Sequence, residues 1–269
     1  MDWTLVVSLI VLGAATGFLA GLLGIGGGMI MVPFLTLIFT ARSFPEQHIV
    51  HMAIATSLAT ILFTSVSSVL AHHKHGAVLW RVARILAPGV LVGSLIGAQI
   101  AGRLSTVWLA LIFAAFVGVS AMQMLLDRKP KPSRELPGAG GMFAVGNVIG
   151  FVSALVGAGG GFISVPYLIW SNVKIHNAVA TSAALGFPIA AAGTVGYVLA
   201  GRGAGGLPDA TLGFVYLPAL LTIALASVVT APLGARAAHA LNTKPLKRVF
   251  ALTLFMLAGY MLYRGVRAA

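Results

Sequence analysis

Gly17–Leu35 reads GFLAGLLGIGGGMIMVPFL, and Gly150–Leu168 reads GFVSALVGAGGGFISVPYL. Eleven of the nineteen aligned positions are identical, including three consecutive glycines and a Val-Pro pair. Each block lies inside an apolar run too long for one membrane crossing, residues 3–41 and 139–173. A crossing needs about 20 residues. Each run therefore reads as a full helix, a glycine turn and a shorter helix starting near a proline, Pro33 or Pro166, in whose first turn proline is tolerated.

The similarity continues downstream. His51–Ser57 (HMAIATS) matches His176–Ser182 (HNAVATS) at five of seven positions. Leu104–Ala114 and Leu241–Ala251 share Leu, Thr, Leu, Phe and Ala in register. The order of blocks is kept while their offset drifts from 133 to 125 to 137, so the indels fall in loops. This is an internal duplication. It divides the chain into an N-terminal repeat (1–126), a charged Pro-rich linker (127–138) and a C-terminal repeat (139–269).

The whole chain has 269 residues, 59% of them hydrophobic and 8% charged, with a mean hydropathy of +1.00. Soluble domains carry about 25% charged residues, so lipid is the solvent for most of this surface. The fold class expected is all-α, a polytopic transmembrane helix bundle of two homologous halves with Gly-broken helices at its centre. The net charge of +12 falls in short loops between apolar runs. That pattern reads as topogenic charge and attraction to anionic headgroups, not as a nucleic-acid surface. The absence of Cys excludes disulfides, thiolate catalysis and Cys-ligated metals. Met1-Asp2-Trp3 lacks the basic start of a signal peptide, so the first apolar run is expected to be a retained helix.

Two topologies compete. If the short helices cross, there are ten segments, and Lys and Arg divide 12 to 5 between the two sides. If they are re-entrant, there are eight crossings and the split is 10 to 7. The positive-inside rule favours ten. Five crossings per repeat would bring the second copy in from the opposite side, the inverted-repeat plan of many secondary transporters.

A helix break in lipid is tolerable only where the backbone is buried or lines a cavity. The freed N–H groups at the next helix start, backed by its dipole, make an anion site. Gly26, Gly27, Gly28, Gly159, Gly160 and Gly161 are therefore candidate substrate-binding residues. The hydroxyl pairs Thr56-Ser57 and Thr181-Ser182 join them, although Ser and Thr also bond back to their own helix carbonyls. His51 and His176 hold equivalent places near helix starts, with interfacial packing and a proton-linked role as the alternatives. Gln99 and Arg236 align, each after Gly-Ala at a helix end; Arg236 either attracts an anion or snorkels to the interface. His72, His73 and His75 read as an interfacial basic loop rather than a metal site. The five acidic residues all fall in loops or at the terminus. Cation pumps rely on buried acids, so the interior suits a small anion better. No metal, cofactor or nucleophile–base–acid set is indicated, and no enzyme activity is expected.

The paired blocks GLLGIGGGMIMVP and ALVGAGGGFISVP, each followed by an Ala-Thr-Ser helix, resemble the sulfite exporter TauE/SafE family, also called the toluene sulfonate uptake permease family. The resemblance covers both halves. It implies a multi-pass permease of the bacterial inner membrane for small sulfur-containing anions such as sulfite, sulfoacetate, thiosulfate or an organosulfonate. Alternating access around the glycine turns is the expected mechanism, and a passive anion channel on the same scaffold is the alternative. Membrane lipid and the anion are the expected partners; oligomeric state, direction and coupling ion are left open.

Overall fold

A computed structural model describes residues 3–23, 27–126, 133–240 and 243–267. Ten helices are present among the described residues: α1 (Trp3–Leu23), α2 (Gly28–Ala41), α3 (Ile49–Lys74), α4 (Trp80–Ala101), α5 (Thr106–Leu125), α6 (Ala139–Val156), α7 (Gly161–Trp170), α8 (Ile175–Ala200), α9 (Leu217–Ala240) and α10 (Thr243–Arg267). A two-stranded antiparallel hairpin, β1 (Thr211–Leu212) and β2 (Val215–Tyr216), precedes α9. Eight helices are long and apolar enough to cross a membrane; α2 and α7 are shorter.

Helix α3 is the centre of the bundle. Every residue from Ile49 to Ile61 is buried, and α2, α8 and α9 pack around it. The outer helices instead present large apolar side chains to the surroundings, among them Val11, Trp108, Val119, Val148, Leu225, Val229 and Met256. An apolar exterior of this extent belongs against lipid. The chain is a multi-pass membrane protein.

Glycine rows set the closest helix contacts. On α4, β-carbons at Gly89, Gly93 and Gly97 would fall within 2.1, 2.1 and 2.6 Å of the carbonyls of Phe143, Asn147 and Phe151 on α6. Only glycine allows backbones this near, the small-xxx-small contact of membrane helices. The rising numbers on both sides show that α4 and α6 run parallel. Gly13 and Gly17 of α1 meet Ile223 and Ser227 of α9 in the same way, so this pair is parallel too. Gly196 faces Ala98 and Gly102 faces Ala200, which makes α4 and α8 parallel. Between α3 and α8 the order reverses: Gly186 faces Ser65 and Gly193 faces Leu58, an antiparallel pair.

Each short helix carries the chain back to the end of the bundle from which the preceding helix set out. Arg42, just after α2, donates to Thr4 Oγ1 at the start of α1. Trp170, the last residue of α7, accepts from the amides of Ser133 and Arg134 ahead of α6, at 3.2 and 3.3 Å. The Trp170 indole donates to Ser133 Oγ at 2.7 Å, and the Arg134 guanidinium lies 4.5 Å from the centre of the ring.

The short helices begin earlier than the prolines suggest. Both start at the third glycine, Gly28 and Gly161, which puts Pro33 and Pro166 inside the helix at its sixth position rather than in the first turn. Each proline lacks the N–H that would pair with the residue four before it, Met29 or Phe162.

Candidate functional site

The two breaks meet inside the bundle. A β-carbon at Gly28 would lie 2.3 Å from the Gly157 carbonyl oxygen and 3.1 Å from Ala158 Cα. Conversely, one at Gly157 would strike Val32 of α2 and Ile54 of α3. The first turn of α2 is thus pressed directly against the end of α6, with α3 as the common wall.

The second break is fully described. Gly157 ends α6 in the left-handed conformation, φ +65°, with its amide and that of Ala158 returning to the Ser153 carbonyl. Gly160 is left-handed again at φ +78° and opens α7; its carbonyl accepts from the amides of Ile163 and Ser164. Two positive φ values within four residues need glycine, and they reverse the chain in a very short arc. The Gly157 and Gly160 carbonyls are held by hydroxyls as well. Ser57 Oγ donates to the Gly157 oxygen at 2.9 Å, and Ser164 Oγ donates to the Gly160 oxygen at 2.9 Å. Ser182 Oγ lies 2.6 Å from Ser164 Oγ and extends that chain.

The amides are another matter. Those of Gly159, Gly160, Gly161 and Phe162 find no acceptor among the described residues, although Gly159, Gly160 and Gly161 are buried. The first amides of any helix lack a partner within it, but buried N–H groups are almost always paired by something else, and three of these four residues are buried. They stand at the positive end of the α7 dipole, and successive amides around a left-handed residue form an anion-binding concavity. Helices α6, α7 and α8 contain no Lys or Arg, so dipoles rather than full charges set the field here.

Among the residues singled out from sequence, Gly27, Gly28, Gly159, Gly160, Gly161, Ser57 and Ser182 gather around this junction. Gly27 caps α2, with its carbonyl accepting from Ile30 and Met31. Gly26 lies outside the described residues. The two threonines serve the backbone: Thr56 Oγ1 accepts from the Tyr216 amide at 3.1 Å, and Thr181 Oγ1 accepts from the Leu79 amide at 3.0 Å. Each therefore anchors the residue that leads into α9 or α4.

The histidines part company. His51 is buried, with Nε2 3.1 Å from the Ala101 carbonyl and 3.0 Å from that of Leu104. Its ring stacks on Phe214 of the hairpin turn, centroids 5.0 Å apart. Nδ1 has no partner among the described residues. His176 is exposed at the opposite end of the bundle. Gln99 joins helices, donating to the Gly196 carbonyl at 2.7 Å. The side chain of Arg236 lies outside the described residues.

Phe214, Val215 and Tyr216 are buried, packed into an aromatic group with Phe39, Phe44, His48, His51 and Tyr197. Three features of this region are not legible in the sequence. The hairpin is too short to show as strands. Ser153 and Ser164 lie in the second glycine block where the first has Ala20 and Met31, and the repeat draws attention to what the blocks share rather than to where they differ.

Residues 9–261 match the family described as Sulfite exporter TauE/SafE, and the chain belongs to that family. It is 36% identical over 95% of its length, and 97% of the relative's, to a probable membrane transporter protein of Haemophilus influenzae. It is 27% identical to the probable membrane transporter protein YunE of Bacillus subtilis, over 97% of this chain and 98% of the other. The probable membrane transporter protein MJ0441 of Methanocaldococcus jannaschii is 27% identical, over 94% of each chain. No solved structure matches. The family and these relatives make the chain a membrane transporter.

Proposed function

We propose that this chain is a secondary transporter that moves a small sulfur-containing anion, such as sulfite, sulfoacetate, thiosulfate or an organosulfonate, across a bacterial inner membrane by alternating access. The observation that carries the reading is the row of unpaired amides from Gly159 to Phe162, the first three of them in buried residues, a donor set for an anion where the bundle offers no competing negative charge. Among the described residues no Asp or Glu stands within a helix. The family's sulfur chemistry selects the class of anion.

The halves that would move are residues 1–126 and 139–269, joined by the linker 127–138. Antiparallel α3 and α8, together with the parallel pairs α1/α9 and α4/α6, support an inverted repeat of five segments each, with α2 and α7 returning the chain. In such a plan the site sits between the halves and opens to each side in turn. Gly27 and Gly28 would form the facing wall, with Ser57 and Ser182 holding the turn and Thr56 and Thr181 closing each side.

Purified protein in liposomes should carry labelled sulfite, thiosulfate or methanesulfonate, and should show counterflow of labelled against unlabelled anion. Flux without counterflow would point to a channel instead. Absence of flux and binding across the panel would sink the sulfur-anion reading.

A further inference from the structure

The two glycine blocks look equivalent in sequence, yet only the second is dressed with hydroxyls. Ser153 and Ser164 occupy positions held by Ala20 and Met31 in the first block. Ser164 has a defined structural task, supporting the Gly160 carbonyl. Ser153 has none: it is 1% exposed, and its hydroxyl makes no hydrogen bond among the described residues. A buried hydroxyl left unpaired costs about 1–3 kcal/mol, and native proteins rarely retain one without a use.

Its position supplies the use. Ser153 Oγ lies 3.2 Å from where a β-carbon on Gly160 would stand, beside the second of the four unpaired amides. Two carbonyls of the turn, those of Gly157 and Gly160, already receive Ser57 and Ser164. The amides of Gly159–Phe162 and the Ser153 hydroxyl are donors left without a partner among the described residues.

We infer that the anion is held asymmetrically, on the second break alone, with Ser153 as a side-chain ligand beside the amides of Gly159–Phe162, and that the ligand is a small oxyanion bound without a cationic side chain. Of the first glycine block, Gly28 abuts Gly157 and Ala158, and Gly27 abuts the Thr16 carbonyl. The inference rests on the anion-transport reading and names the residues of its site.

The test is anion binding by the detergent-solubilised full chain, followed as thermal shift and as titration. Two sets of probes are used, sulfate, sulfite, thiosulfate and methanesulfonate in one, and nitrate and bromide in the other. Ser153→Ala should leave the unliganded protein as stable as the wild type or slightly more so, since it removes an unpaired buried hydroxyl. It should weaken the anion that binds wild type by about tenfold or more, the worth of one hydrogen bond to a charged group. Ala20→Ser should change neither.

If sulfur anions are silent but nitrate or bromide binds in a Ser153-dependent way, the asymmetric site stands and the sulfur assignment falls. If Ser153→Ala binds sulfur anions as wild type does, the Ser153 site is wrong and the transport reading survives. If no probe of either set binds wild type, both fall. Amide 15N shifts of the wild-type protein decide the same question without any variant. Anion addition should move Gly159, Gly160 and Gly161, and equal movement at Gly27 and Gly28 would overturn the asymmetry.

Discussion

Ser57 of α3 donates its hydroxyl proton to the carbonyl of Gly157, 2.9 Å away and 100 residues later in the chain. The residue that ends α6 is thus fixed by a helix of the other repeat. Ser57→Ala leaves the buried Gly157 oxygen short of a donor, a loss of about 1–3 kcal/mol. The expected outcome is a lower unfolding midpoint and weakened anion flux, read by thermal unfolding in detergent and by uptake into liposomes. A variant with unchanged midpoint and flux would show that the turn holds its shape without this bond.

Gly28→Ala should be far more damaging than its single added methyl suggests. The new carbon would sit 2.3 Å from the Gly157 oxygen, a contact that backbone atoms on both sides must relieve. Gly160→Ala meets Ile189 Cδ1 at 2.4 Å and adds a left-handed φ of +78°, a conformation costing an alanine about 1–2 kcal/mol. Gly118→Ala and Gly259→Ala, with nothing within 4 Å, are the controls and should fold and transport normally. Yield of monodisperse protein and initial uptake rates decide the comparison.

Thr56→Val and Thr181→Val are nearly isosteric and remove only the acceptors for the Tyr216 and Leu79 amides. Tyr216 is buried and Leu79 half-buried, so the Thr56 change is expected to cost more, toward the upper part of the roughly 1–3 kcal/mol range for a stranded donor. The chain has no cysteine of its own, so a single cysteine at Val215 reports cleanly. Thr56→Val should speed its modification by a membrane-impermeant maleimide, whereas Thr181→Val should not. Equal labelling in both would remove the threonine from any role in closing that end.

His48, just before α3, has its pKa lowered from the ordinary 6.5, first by burial, with a hydrogen bond to the Gly205 backbone working the other way. A histidine depressed on folding contributes stability above its unfolded pKa, and that contribution is lost as pH falls from about 6.5 toward the folded value. Amide exchange across residues 201–216 should therefore be slower at pH 7.5 than at pH 5 after correction for intrinsic rates. His48→Gln should reduce that difference; an undiminished pH effect in the variant would assign it elsewhere.

Much of this architecture is written in local chemistry. Apolar runs of membrane length, the paired Gly-Gly-Gly blocks and the proline behind each one specify helices, breaks and duplication, because lipid forces every backbone group to be paired within its own segment or inside protein. The repeat also points to the glycines and to Ser57 and Ser182, which gather near the junction. Tertiary structure alone decided which partner each group takes. Thr56 and Thr181 receive amides from the approaches to α9 and α4. Gln99 ties α4 to α8, and His51 lies buried while His176 is exposed. Ser153, unremarkable in sequence, has its unpaired hydroxyl beside Gly160. These outcomes depend on contacts between residues far apart in the chain, which no local pattern encodes. A helix break is a property of its own few residues; what fills the break depends on whatever the rest of the bundle brings to it.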